Sequence, residues 1–201
     1  MSEWVKGNRY LSEAETKNNA EIVYSVLLGK GWTVNAICGM LGNMQSESGV
    51  NPGIWQGLIE GSGGGGGFGL VQWTPWTNFT NWADSHGYAW DDGNAQLKWI
   101  DEVTASFGQW MPTTAYNLSF AEFKQSTQNV EYLASAFLKN FERAGVEVEN
   151  ERRSQAVTWF NYFKGSDINP DTPDTPDTPG TTTKRKKLSK LLLFAIASDF
   201  E

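Results

Sequence analysis

The chain is poor in the residues that most hydrolytic and metal chemistries need. Among its 201 residues there is one cysteine, Cys38, and one histidine, His86. They supply no disulfide framework, no Cys-x-x-Cys pair and too few soft ligands for zinc, so zinc amidases and zinc peptidases are excluded. A Ser–His–Asp hydrolase would have His86 alone to work with, and no Gly-x-Ser-x-Gly elbow is present. Cys38 stands beside Ile37 inside a helical pattern. That reads as a small buried hydrophobe rather than the nucleophile of a thiol pair with His86. Long apolar runs are missing too: the stretch 191–197 falls far short of the ~20 residues of a membrane span. The opening residues, Met-Ser-Glu-Trp-Val-Lys-Gly-Asn-Arg-Tyr10, carry no apolar signal core. No signal peptide is expected, so action outside a cell would need another carrier. Basic charge is scarce where a core could form. Residues 1–165 hold eleven Lys and Arg against seventeen Asp and Glu, and a nucleic-acid partner, which would call for a basic face, is not expected.

What the chain has is aromatic bulk and punctuation. Ten Trp and eleven Phe are ample for a core, and the length suits one domain with an appendage. Ser12-Glu-Ala-Glu15 and Ser119-Phe-Ala-Glu122 are capping boxes. The first helix is expected to end near Gly31, and Thr33 is expected to cap a second one. Further helices are expected over Thr77–His86, Asp92–Phe107, Thr127–Arg143 and Val148–Lys164, each closed by a glycine soon after. With no alternating strand pattern of any length, the class is mainly α. Residues 51–76 differ in texture, being rich in Gly and Trp, and Gly61–Gly67 reads as a mobile surface loop. After Gly165 the pattern stops. Residues 166–183, with their Pro-Asp-Thr repeat, read as an extended linker. Residues 184–201 read as a basic, then apolar, tail.

One carboxylate stands out. In Cys38-Gly-Met-Leu-Gly-Asn-Met-Gln-Ser-Glu47-Ser-Gly49, the apolar residues Ile37, Met40, Leu41 and Met44 recur at helical spacing, and Glu47 takes the next place on that stripe. Gly49 sits where a C-cap glycine belongs. Burial and the negative end of the helix dipole both disfavour a charge there, and together they would keep Glu47 protonated near neutral pH, as a general acid requires.

Two segments carry a resemblance: Glu47-Ser-Gly-Val-Asn51-Pro52-Gly-Ile-Trp55, and Gly67-Phe-Gly-Leu-Val-Gln72-Trp73-Thr-Pro75-Trp76. Together they resemble the lysozyme-like superfamily of peptidoglycan glycosidases. The first matches the Glu-Ser-x-x-Asn-Pro signature of lytic transglycosylases and phage lysozymes. The second matches their Gly-Leu-Met-Gln motif, with Val71 in place of Met. The extended motifs are similar to those of the phage tail-lysozyme branch, over residues ~10–165. The resemblance implies a lysozyme-like α-helical domain over 1–165, with Glu47 as the acid that protonates the glycosidic oxygen between MurNAc and GlcNAc. It implies Gln72 in the cleft beside that acid, and Trp73 and Trp55 as walls of the sugar subsites. No metal or cofactor is implied. The expected partners are peptidoglycan glycan strands and other phage tail proteins, and the expected location is the virion tail, acting on the host wall.

The second half of the mechanism stays open. Goose-type relatives carry Asp residues before the Gln motif, where this chain has glycines. A hydrolase would need a second carboxylate, for which Glu60 is the nearest candidate and Asp84, Asp91 and Asp92 are weaker ones. Ala115-Tyr-Asn117 matches a transglycosylase motif only by chance. A lytic transglycosylase would use Glu47 twice, and a non-catalytic glycan-binding tail module is the alternative of another class. The tail invites two readings. It is either a weak contact with anionic membrane or wall polymers through 184–201, or the first strand of a neighbouring domain if the chain is a fragment of a longer tail protein.

Overall fold

A computed structural model describes residues 3–61, 65–143 and 148–165 of the chain. The linker and tail readings for 166–201, and the centre of the glycine loop at 62–64, lie outside the described residues. Among the described residues the fold is helical. The extended elements are isolated antiparallel bridges, Trp55 to Phe68 and Phe68 to Trp73.

Helix α1 (Glu13–Gly29) opens on the Ser12–Glu15 capping box. Glu15 also takes hydrogen bonds from the Arg9 guanidinium. With the Ser12 bonds, these pull its carboxyl down to about 2. Helix α2 (Val34–Ser48) starts from Thr33, whose hydroxyl accepts from the Ala36 N–H, and stops at Gly49, which is left-handed with φ 61°. Every residue from Ala36 to Gln45 is buried. The helix is therefore enclosed on all sides rather than along one stripe, as befits the central rod of a small domain.

Enclosure of α2 depends on two glycines. A Cβ at Gly39 would lie 2.9 Å from Leu133 Cβ on helix α7 (Val130–Phe137). A Cβ at Gly42 would strike the Arg152 carbonyl and sit 2.8 Å from the Ala156 amide on helix α8 (Glu149–Gly165). Two neighbouring helices thus approach α2 backbone to backbone. Helix α7 does not run on to Arg143 as periodicity predicts. It passes into a π turn, Leu138–Glu142, and Arg143 ends it in the left-handed region at φ 51°. The helix expected over Asp92–Phe107 is likewise interrupted. It comprises α4 (Gly93–Lys98), capped by Asp92, then a π turn at Trp99–Val103, then α5 (Thr104–Phe107). Helices α3 (Thr77–Ser85) and α6 (Phe120–Gln125) agree with expectation, α6 with its Ser119–Glu122 box.

Buried amides tie the 51–76 loop to this frame. Gln96, fully buried, accepts from the Leu70 N–H at 2.8 Å and donates to the Pro52 and Trp90 carbonyls at 2.7 Å. Ser48 donates to the Leu70 carbonyl at 2.8 Å, and Asn51 donates to the carbonyls of Gly7 and Arg9. Each bond satisfies a backbone group that an irregular loop would otherwise strand in the interior.

Candidate active site

The C-terminal end of α2 opens on a cleft of about 460 Å³. Glu47 enters from α2, and Gln56, Val71, Gln72, Trp73 and Thr74 enter from the loop. Gln109 follows α5, while Phe141, Glu142 and Arg143 come from the end of the π turn.

Glu47 makes an ion pair: its Oε1 lies 2.7 Å from Arg152 Nη2. Arg152 is 5% exposed, and its Nη1 donates to Asn43 Oδ1 at 3.2 Å. Asn43 is itself fixed, since its amide donates to the Gly39 and Ala134 carbonyls, both at 3.0 Å. The order of these contacts follows from Gly42. Because α8 touches α2 there, Arg152 lies flat against the helix and reaches one turn on to Glu47. The Glu47 side chain keeps 18% of its surface in solvent, so it is held from behind and open in front.

Gln72 faces the same space from a strained position, φ 46°. Its amide donates to the Ile54 and Gly69 carbonyls at 3.2 and 3.1 Å. Gly67 leaves it room, because a Cβ there would come within 2.8 Å of Gln72 Oε1. Trp73 is 2% exposed, stacked on Phe79 with centroids 4.7 Å apart and edge-on to Trp99 at 5.3 Å. The residue borders the cleft, but its ring is taken up by the core.

Glu142 is the second carboxyl of the cleft. Its Oε1 is withdrawn from solvent and has no hydrogen-bond partner. Burial holds this carboxyl well above the usual carboxylate range, and the Glu47 charge pushes the same way; the guanidiniums of Arg152 and Arg143 oppose both. Arg143 is anchored by bonds from its Nη1 to the Gln109 and Asn140 carbonyls. The cleft therefore holds a carboxylate in an ion pair beside a carboxyl that burial raises above the usual range, and environments that push two carboxyls apart are those from which acid and base roles are drawn. Among the described residues no group of three or more His, Cys, Asp or Glu stands together as a metal site.

Residues 18–163 match the phage tail lysozyme family. The chain belongs to that family. It is 48% identical over 158 residues to "Morphogenesis protein 1" of Bacillus phage B103, an alignment covering 79% of this chain and 42% of that protein. The chain thus spans less than half the length of this relative. Family and relative together support a phage-associated, lysozyme-like role.

Within this phage tail lysozyme domain, the residues singled out from sequence meet different fates. Glu47, Gln72 and Trp73 come together on the cleft. Trp55 does not line it. Trp55 is 6% exposed and packs on Phe68, Trp76 and Trp90, with centroids 4.5, 5.5 and 6.4 Å away. The candidate second carboxylates are all engaged elsewhere or exposed: Asp84 accepts from the Trp90 indole, Asp91 pairs with Lys6, Asp92 caps α4, and Glu60 lies on the loop surface. Cys38 is fully buried, and burial pushes its thiol up to about 12, as a core residue should behave. Arg152 and Glu142 were missed. One signal was available: Arg152, on a helix that also carries the buried Ala156, Trp159 and Phe163, falls on the same face by spacing. For Glu142 nothing local would have served, since its burial comes from a turn that periodicity does not describe.

Proposed function

We propose that this chain is a glycosidase of bacterial peptidoglycan that cleaves the β-1,4 bond between MurNAc and GlcNAc. Glu47 is the general acid, and the chain works on a phage virion tail to open the host wall for DNA. One observation carries this reading. Glu47, at the end of a buried helix, shares a cleft with Gln72 and Trp73 from the second motif, and Arg152 holds it from behind. Sugar rings offer hydroxyls around their edges, and the cleft answers with three glutamine side chains, Gln56, Gln72 and Gln109, and the Thr74 hydroxyl. General acid catalysis contributes about 10²–10⁴-fold to rate. Glu47→Gln should therefore cut wall clearing by that order while leaving the fold intact. Clearing at the wild-type rate would remove Glu47 from the mechanism.

The raised carboxyl of Glu142, set in the free cleft by burial, gives the lytic transglycosylase reading support, because it makes Glu142 a weak candidate for a second catalytic carboxylate at rest. A protonated carboxyl is not a nucleophile, and it does not activate water as a base. A single-acid route, with Glu47 acting first as acid and then as base, needs neither. Mass spectrometry of the products separates the routes: anhydro-muramyl ends for transglycosylation, reducing ends for hydrolysis.

A further inference from the structure

Glu142 belongs to the cleft, yet the single-acid reading gives it no task. Keeping a carboxyl oxygen out of solvent without a hydrogen-bond partner is costly, and a residue serving only to fill space would do so better as an apolar side chain. Its setting is also specific. It closes a π turn, a feature that recurs at functional sites, and the left-handed Arg143 follows directly. Among the described residues, the charges that act on it belong to the site: Glu47 from α2, Arg152 from α8 and Arg143 from its own turn. The loop residues across the cleft, Gln56, Gln72 and Thr74, are uncharged.

We propose that Glu142 stores the proton that Glu47 delivers to the departing sugar oxygen, so that the two carboxyls act as one coupled pair. This rests on the glycosidase reading above. At rest Glu47 is the anion of the Arg152 ion pair and Glu142 is the neutral acid. With substrate bound, the proton leaves the Glu142 carboxyl and joins the Glu47 carboxylate. The negative charge moves to Glu142, where Arg152 and Arg143 receive it. Glu47 then protonates the glycosidic oxygen as the bond to the sugar breaks, and it is left as a carboxylate again. The exchange is self-consistent: neutralising Glu47 removes one of the two influences that keep Glu142 protonated. Glu142 acts through Glu47 and is a positioning residue for its proton.

Two measurements on the full chain test this. The first is carboxyl ¹³C NMR of the wild-type and Glu47→Gln proteins across pH, which needs no substrate. Glu142 should be protonated at neutral pH in the wild type, and its midpoint should fall in Glu47→Gln. The second is the pH profile of kcat on purified peptidoglycan for Glu142→Gln. Loss of the pair's last proton sets the alkaline limb, so that limb should move down by at least about one pH unit, with KM little changed. A Glu142 ionised at neutral pH overturns the proposal, and so does an unmoved alkaline limb in a Glu142→Gln protein that melts normally. If Glu142→Gln does not fold, the NMR titration decides alone. If Glu47→Gln clears walls normally, the glycosidase reading fails instead, whatever the NMR shows.

Discussion

Replacing Glu142 with glutamine should stabilise the protein, and increasingly so as pH rises. An unfolded glutamate titrates near about 4.3, whereas burial and the Glu47 charge hold folded-state Glu142 well above the usual range. Below about pH 4.3 both states carry the proton and the residue is neutral to stability. Above that pH the unfolded chain releases the proton while the folded protein retains it. Stability then falls as pH rises, with a limiting slope of about 1.4 kcal/mol per pH unit, until folded-state Glu142 itself ionises. Glutamine has the same shape and no proton to hold. Its advantage over the wild type should therefore open from near zero at about pH 4 and grow as pH rises, by at most about 1.4 kcal/mol per pH unit. Carboxyls whose values are lowered, such as Glu15, Glu122 and Glu149, lose stability toward acid, but they are common to both proteins and cancel in the difference. Urea unfolding at half-unit steps from about pH 4 to 7, with the slope against urea unchanged, measures that difference. A difference that stays flat with pH, or one that turns against glutamine, would refute the reasoning. Agreement would make Glu142 a residue kept at a cost in stability, as sites shaped for chemistry often are.

Three further outcomes are expected. Arg152→Met strands the Glu47 carboxylate and Asn43 Oδ1. Losing one partner of a buried pair costs about 3–5 kcal/mol, and the 18% exposure of Glu47 trims this to roughly 2–3 kcal/mol. A double-mutant cycle with Glu47→Gln should then show coupling of about 1–3 kcal/mol in urea unfolding; additive effects would mean that the ion pair holds nothing. Gly42→Ala gains about 1 kcal/mol of helix propensity, yet its Cβ strikes the Arg152 carbonyl, and overpacking of that kind costs about 1–3 kcal/mol. The expected result is a protein of lower or equal stability whose wall clearing drops because Arg152 is displaced; full activity would show that close contact of α2 and α8 is not needed to place Glu47. Cys38 should resist a thiol reagent in the native protein and react only on unfolding, since burial raises its thiol to about 12; rapid native labelling would contradict its place in the core.

Much of this protein was written in short-range signals, and those signals held. Ser12, Thr33, Asp92 and Ser119 cap the helices that follow them, and Gly49 ends α2 in the left-handed conformation. Caps and stops depend on hydrogen bonds spanning three or four residues, so the sequence carries them entire. The same holds for Glu47 at the end of α2, and for Gln72 in a loop whose glycines leave it space. Other features depended on packing between distant segments. Periodicity expects unbroken helices across Trp99–Val103 and Leu138–Glu142, and π turns stand there instead, because tertiary contacts repay one residue of lost register. Trp55 seemed a subsite wall by its motif, but its neighbours Trp76 and Trp90 enclose it in the core.

The division is sharpest at the site. Sequence alone singled out Glu47, because a helix stripe and two motifs converge on it. Only the folded protein decided what surrounds it. Arg152 is 105 residues away along the chain and is brought to contact by Gly42, and Glu142 arrives on a turn after a different helix. Charge state depends on burial and on neighbouring charges in space, and neither is a local property of the chain. The carboxyl that burial raises is Glu142, which lines the same cleft.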